Sequence, residues 1–169
     1  SILGPLLFII YINDIPNVSQ IANFIMYADD ANIIITGDDI AEVDVLLREL
    51  CKILLKWVDS NGLCLNLKKT KYMIFTRSRN IELPNILKIA DSNIERITEG
   101  KFLGIIVDEN LTWSRHIKTI KTKMARYIGL MYKLKKQLPE KVRIQIYHSF
   151  VQSHINYCAL VWGLCAKPN

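Results

Sequence analysis

Phe24-Ile25-Met26-Tyr27-Ala28-Asp29-Asp30-Ala31-Asn32-Ile33-Ile34-Ile35 sets two adjacent carboxylates between two apolar runs of strand length. Runs of that kind on either side of a short polar tip predict a β-hairpin. Burying two acids at such a tip is costly unless something positive neutralises them. A divalent cation meets that need, because hard carboxylate oxygens suit Mg²⁺ and substrate phosphates complete its shell. An Asp-Asp turn facing water removes the need altogether, since Asp is a common turn former. On the hairpin alone both readings stand.

The 169 residues around this stretch are half hydrophobic. That is the size of one domain, or of one domain with a small appendage, and it is too apolar for a disordered chain. The longest uninterrupted apolar run, Leu6 to Ile12, is too short to span a bilayer. Ser1 opens the chain without an initiator Met or a basic leader, so no cleavable signal is expected. Cys51, Cys64, Cys158 and Cys165 form no Cys-x-x-Cys pair, and His116, His148 and His154 complete no zinc spacing. Reduced, largely buried thiols of an intracellular protein, cytoplasmic or nuclear and not membrane-bound, are the expectation. Oligomeric state is not legible.

Charge is segregated along the chain. Residues 1–60 hold nine acids and three bases, whereas the remainder holds 19 bases and seven acids. A cation-seeking front joined to a basic remainder suits a protein that binds metal at one end and polyanion along the other. A basic surface kept for solubility predicts no such segregation.

Periodicity supplies the elements. Ile2 to Ile12 reads as a buried helix with Pro16 just beyond it. After the hairpin, Asp38 or Asp39 caps an amphipathic helix whose stripe is Val43, Leu46, Leu47, Leu50, Leu54 and Trp57, and Asn61-Gly62 ends it. Leu63 to Phe75 predicts two short strands flanking Lys68-Lys69-Thr70-Lys71. Ile86 to Ile97 predicts a hairpin turning at Asp91-Ser92-Asn93, and Phe102 to Val107 a further strand. A helix from Trp113 to Leu138 carries the stripe Trp113, Ile117, Ile120, Met124, Ile128 and Met131. Pro139 breaks it, and a last helix covers Glu140 to His154. Hairpins interleaved with helices, then helices alone, make an α+β layer with a helical appendage.

Several segments, in this order, carry a family resemblance. Ser1-Ile2-Leu3-Gly4-Pro5-Leu6-Leu7-Phe8 is followed by Tyr11-Ile12-Asn13-Asp14-Ile15, and then by the box Tyr27-Ala28-Asp29-Asp30. Next come Trp57, Asn61, Leu65, Asn66, Lys69, Thr70, Met73 and Phe75. Phe102-Leu103-Gly104, Asp108, Leu111-Thr112-Trp113 and His116-Ile117 follow, and Tyr157 with Trp162-Gly163 closes the series. The chain resembles, over nearly its whole length, the reverse transcriptase of non-LTR (LINE-type) retrotransposons. That resemblance implies a partial polymerase palm of antiparallel hairpins packed on helices over residues 1–110, and a helical thumb-like region over 111–169. It also implies that the fingers and the first palm strand, with another metal-binding Asp, lie before Ser1.

By the same resemblance the parent enzyme performs Mg²⁺-dependent nucleotidyl transfer (Mn²⁺ as a substitute) with an RNA template, a DNA primer and deoxynucleoside triphosphates. In such chemistry two metals about 4 Å apart stabilise the attacking and leaving oxygens. Asp29 is then the principal metal ligand, Asp30 a supporting carboxylate, and Tyr27 the brace for the primer end. Lys69 would neutralise charge on departing pyrophosphate or give it a proton; a solvated turn lysine explains it equally well. Gly4-Pro5 would touch template and nucleotide, or simply start a helix. Phe102-Leu103-Gly104 would grip the primer, or form a plain core strand in which Gly104 alone hints at close backbone approach.

Residues 114–138 contain Arg115, Lys118, Lys121, Lys123, Arg126, Lys133, Lys135 and Lys136 and no acid. A solvated helix face usually intersperses acids for i, i+4 pairs, so this run favours a polyanion lying alongside. The expectation is a reverse transcriptase fragment inactive by itself; a non-catalytic nucleic-acid-binding remnant and an interaction module are the alternatives.

Overall fold

A computed structural model of the chain describes residues 2–77, 86–89 and 92–163. The chain divides into two compact units, Ser1–Lys71 with Glu82–Glu95, and Tyr72–Ile81 with Arg96–Asn169. Each mixes helix with antiparallel strand, so the α+β class holds in that coarse sense. Among the described residues no helix is long and apolar enough to cross a membrane.

In the first unit, α1 (Leu3–Tyr11) leads into a 3-10 turn at Ile15–Val18, which Pro16 enters near its start. The helix is where periodicity puts it, but it is not buried. Leu3, Leu6, Leu7, Ile9, Ile10 and Tyr11 are about half exposed or more, and only Ile12 and Ile15 turn into the core. A helix apolar all round needs cover on every side, and the packing in this unit closes only at its C-terminal end.

Strands β1 (Asn23–Tyr27) and β2 (Asp30–Ile34) form the expected antiparallel hairpin. Helix α2 (Ile40–Ser60) is capped as its sequence predicts. The Asp39 carboxylate accepts from the Glu42 backbone N–H at 2.8 Å, and the Glu42 carboxylate accepts from Asp38 N–H at 2.8 Å. At the other end Gly62 takes φ +63°, while Gly62 N–H donates to Asp59 and Leu63 N–H to Val58, the two bonds of a Schellman cap. The predicted stripe is half-buried apart from fully buried Leu50, and Cys51 and Val58 join Ile12, Ile15 and Ile94 in the core.

Leu63 to Leu67 is irregular rather than a strand. The Asn66 carbonyl accepts from the N–H groups of Lys69 and Thr70, both at 3.0 Å, so the backbone turns where pairing was expected. Only Lys71–Tyr72 (β3) is extended. β4 (Ile86–Ile89) pairs with β5 (Ser92–Arg96) in the register Ile89↔Ser92, which places Ser92 and Asn93 inside a strand; Asp91 lies outside the described residues. Lys71 pairs with Glu95 of β5 at 2.5 Å.

The second unit corrects the single strand expected over Phe102–Val107. It is a hairpin of β6 (Glu99–Phe102) and β7 (Ile105–Asp108), turning at Leu103 (φ +44°) and Gly104 (φ +89°). Two successive positive φ values are the type I′ pattern that suits strand twist. Apolar alternation continues across so short a turn and hides it. Helix α3 (Ser114–Leu134) stops four residues before Leu138, and Ile128, placed on the apolar stripe, is 56% exposed while Tyr127 is half-buried in its stead. The last helix comes in pieces: α4 (Glu140–Ile146), a π-helical segment (Tyr147–Gln152) and α5 (Ser153–Asn156), with α6 at Ala159–Trp162.

Between β7 and α3 the Asp108 carboxylate accepts from the N–H groups of Asn110, Thr112 and Trp113 and from the Thr112 hydroxyl, at 2.8–3.2 Å. It thereby holds Leu111 (φ +53°) and Trp113 (φ +61°) in left-handed conformation. Partial burial opposes ionisation, yet these donors outweigh it and hold the Asp108 pKa below the ordinary value. One turn into α3, His116 is 5% exposed, its Nδ1 accepting from Ile106 N–H at 3.3 Å and its ring edge-on to Trp162 at 5.5 Å. Burial, and then the Lys123 charge, push its pKa down.

The expectation of buried cysteines holds for Cys51, whose thiol pKa is raised by burial. Cys64 and Cys158 are exposed, because Cys64 follows the α2 cap and Cys158 (φ +51°) sits at a chain reversal; Cys165 lies outside the described residues.

His116 and Asp108 both have folded pKa values below their unfolded ones, so the unfolded chain binds more protons and acid destabilises the fold. The His116 contribution is complete above about pH 6.5 and lost as pH falls below it; that of Asp108 follows below about pH 4. Melting curves from pH 7.5 downward should decline in those two stages. His116→Gln should be less stable at pH 7.5 and should flatten the first stage.

Candidate functional site

The register Tyr27↔Asp30 leaves Ala28-Asp29 as a two-residue turn. Ala28 has φ +52° and Asp29 does not share the positive sign, the type II′ pattern whose first central position normally takes Gly. A Cβ at that φ is strained, and such strain persists only where surrounding structure fixes it. Tyr27 and Asp30, directly opposite across the strands, share one face of the hairpin, while Asp29 rides the turn. The two carboxylates are therefore not equivalent, as alternation along a strand requires.

Asp29 and Asp30 are exposed rather than buried, and Tyr27 is 63% exposed. The hairpin is a two-stranded sheet, so nothing in it closes over its own tip. Among the described residues no cation pairs with either carboxylate, and no group of three or more His, Cys, Asp or Glu side chains gathers to hold a metal. Two uncommitted hard-oxygen donors fit Mg²⁺ in the way it is held by one or two carboxylates plus substrate phosphates.

The other expected residues of this unit lie elsewhere in it. Lys69 is exposed in the turn closed by Asn66, whose Oδ1 also accepts its backbone N–H at 3.3 Å. Its ammonium makes no ion pair among the described residues. Gly4 and Pro5 sit in the first turn of α1, exposed, with open space around Gly4.

In the second unit Phe102 ends β6 and Gly104 lies in the I′ turn. The Tyr157 hydroxyl donates to the Leu103 carbonyl at 2.5 Å, and a Cβ on Gly104 would meet the Tyr157 ring at 3.4 Å. Trp162 Nε1 donates to the Tyr157 carbonyl at 2.8 Å. All eight predicted bases of residues 114–138 are exposed. At roughly 100° per residue, Arg115, Lys118, Lys123, Arg126 and Lys133 fall within an arc of about 140°, opposite the half-buried face, and Lys121 stands about 60° outside it. Arg115 is partly engaged with Glu99 of β6 at 3.7 Å.

Residues 1–132 match the family model described as reverse transcriptase (RNA-dependent DNA polymerase), a stretch that includes the Tyr27–Asp30 tip and nearly all of α3. The chain belongs to the reverse transcriptase family. Its relatives include the RNA-directed DNA polymerase from mobile element jockey of Drosophila funebris, 27% identical, and the probable RNA-directed DNA polymerase from transposon X-element of Drosophila melanogaster, 25% identical. Each alignment covers 100% of this chain and 19% of the relative. A Pol polyprotein from type-1 retrotransposable element R1 2 of Nasonia vitripennis is 25% identical across 80% of this chain and 35% of its own length. The resemblance to non-LTR, LINE-type enzymes thus stands, and the chain spans about a fifth of the jockey and X-element relatives. No solved structure matches it.

Several residues, in the motif series and beside it, are structural in ways their sequence did not announce. The Tyr11 hydroxyl donates to the Asn61 carbonyl, tying the end of α1 to the α2 cap. Arg96 and Glu109 pair at 2.6 Å in a largely shielded position. Tyr157 and Leu103 stand 54 residues apart, a separation that no local pattern reports.

The strained tip makes a direct prediction. Ala28→Val adds a β-branched side chain at positive φ and should cost about 1–2 kcal/mol, whereas Ala28→Gly should be neutral or stabilising. Urea denaturation of the two variants against the parent chain measures both.

Proposed function

We propose that this chain supplies part of the palm, within residues 1–110, and a thumb-like region, within residues 111–169, of an RNA-directed DNA polymerase. The observation that carries this reading is the hairpin tip: a strained two-residue turn presents Asp29, with Asp30 and Tyr27 facing each other beside it. In this reading Asp29 is the principal ligand of a catalytic Mg²⁺ and Asp30 supports it. When bound, the metal would stabilise negative charge on the reacting oxygens. The exposed Tyr27 ring offers an apolar surface on which the primer end is positioned. Lys69 neutralises charge on the triphosphate side, and Gly4 and Pro5 border template and nucleotide. The Phe102-Leu103-Gly104 turn, propped by Tyr157, presents a rigid backbone edge to the primer.

The basic arc of α3, with Arg115, Lys118, Lys121 and Arg126, runs along the phosphates of primer and template, and contacts to phosphate carry no base preference. Gly129 supports that role. It stands within the same arc with nothing within 4 Å of a would-be Cβ, so intramolecular packing does not require it. A mid-helix glycine costs about 1 kcal/mol relative to alanine, a loss explained where another backbone must approach closely.

Metal binding at the tip should raise the melting temperature when Mg²⁺ or Mn²⁺ is added, by mass-action linkage. Asp29→Asn should blunt that response more than Asp30→Asn; equal responses in all three proteins would contradict the assignment. With Asp29 and Asp30 as the ligand set gathered among the described residues, residues 1–169 alone should give only background primer extension on an RNA template.

Affinity for an RNA–DNA hybrid, read by fluorescence anisotropy, should fall steeply with salt, with a log–log slope of about −0.7 to −0.9 per neutralised phosphate. Replacing Lys118, Lys121 and Arg126 by Gln should lower both affinity and slope, and Asp29→Asn should change neither. A triple variant that binds like the parent at every salt concentration would reduce the basic arc to a solvated face.

A further inference from the structure

Beyond the basic arc, the C-terminal end of α3 and the start of the following helices border two adjoining shallow clefts, wide open to solvent, of about 310 Å³ each. Met131, Arg143 and Tyr147 line both, Ile128, Tyr132 and Lys135 extend one side, and Glu140 and Ile144 the other. Two aromatic rings stand open to solvent at this place: Tyr132 is 68% exposed and Tyr147 42%. The Lys135 ammonium lies 4.2 Å from the centroid of the Tyr132 ring. The half-buried Arg143 guanidinium keeps an Nε with no hydrogen-bond partner among the described residues. Tyr147 also opens the π-helical segment, a backbone irregularity that recurs at functional sites.

The chemistry of these groups narrows the occupant. Residues 132–147 contain five bases and one acid, Glu140, so the rim attracts anions. Exposed rings beside cations over an apolar floor of Ile128, Met131 and Ile144 suit a flat aromatic group attached to a phosphate. A cleft of about 300 Å³ is at the lower end of small-ligand sites, the scale of a nucleobase. A duplex hides its base faces in its own stack, so only an unpaired base reaches the rings. We propose that this cleft binds single-stranded nucleic acid, stacking an unpaired base on Tyr132 or Tyr147 while Lys135 and Arg143 take the flanking phosphates. This goes beyond the phosphate-only contact assigned to α3. It rests on different residues, and either reading stands if the other fails.

The test compares three fluorescein-labelled probes on residues 1–169: a single-stranded RNA of about eight nucleotides, an abasic phosphodiester strand of the same length, and an RNA–DNA hybrid. The base-bearing strand should bind about ten-fold more tightly than the abasic one, the loss expected for a base–aromatic stack. Tyr132→Ala with Tyr147→Ala should bring the two strands to parity, and the corresponding Phe double variant should keep the preference. Lys135→Gln with Arg143→Gln should weaken both strands and lower the salt slope. Lys118, Lys121 and Arg126 replaced by Gln should weaken the hybrid and leave the ratio of the two single strands unchanged. Equal binding of base-bearing and abasic strands by the unmodified chain overturns the proposal without any variant. So does a Phe double variant that loses as much as the Ala one. Absence of saturable single-strand binding also overturns it, and leaves the cleft to a protein segment.

Discussion

The Asp108 carboxylate fixes the path from β7 into α3, on which the packing of the motif residues in the second unit depends. Its four accepted hydrogen bonds let two side-chain-bearing residues, Leu111 and Trp113, adopt left-handed conformation, at a strain of order 1–3 kcal/mol each. Trp113 is the N-cap of α3 and makes no side-chain capping bond, so the carboxylate receiving its N–H serves as the cap from outside the helix. With the helix start fixed, His116 arrives under β7 with Nδ1 at the Ile106 N–H. Because Nδ1 accepts, the ring proton of the neutral form sits on Nε2. The Trp162 ring packs on the imidazole and its indole N–H reaches the Tyr157 carbonyl, and the Tyr157 hydroxyl returns to the β6–β7 turn. Motif residues spread over some sixty positions are one connected set of contacts.

Ala28 shows the opposite arrangement. Its positive φ is flanked by the pairing of Tyr27 with Asp30, and among the described residues no side-chain acceptor gathers around it. Strain of that kind sits where the ladder ends and where carboxylates must leave the sheet plane. The same two-residue connection at Leu103-Gly104 has a glycine for one of its left-handed positions and a tyrosine hydroxyl on the other's carbonyl. The two hairpins thus differ in how their turns are stabilised.

The sequence was legible where a physical signal is local. The Asp39 and Gly62 caps, the hairpin around Asp29 and the amphipathic course of α2 each declare themselves within a few residues. Three kinds of feature did not. A two-residue turn inside an apolar alternation, as at Leu103-Gly104, leaves the alternation unbroken and so reads as one strand. Hydrophobicity reports that a residue favours burial but not whether a partner is at hand, so the apolar run of α1 reads as a buried helix although its flank stands open. Contacts such as Tyr157 to Leu103 and Tyr11 to Asn61 bring together residues at least fifty positions apart, and periodicity carries no information at that range. The Tyr27–Asp30 box was visible because its chemistry is compressed into four consecutive residues; Lys69 and Gly4-Pro5, named with it, stand on separate elements of the same unit.

The uncovered flank of α1 has a consequence for the protein as a material. Leu3, Leu6, Leu7, Ile9 and Ile10 wet a strip of hydrocarbon on a chain whose other conspicuous surface is cationic. The two surfaces respond to ionic conditions in opposite senses. Sulfate and phosphate strengthen the sticking of hydrocarbon to hydrocarbon, and cooling weakens it, while any salt screens the cationic face. The two faces therefore set opposed demands on solution conditions: cool, low-salt solution weakens the attraction between hydrocarbon flanks and leaves the cationic face unscreened, and warm kosmotropic buffer does the reverse.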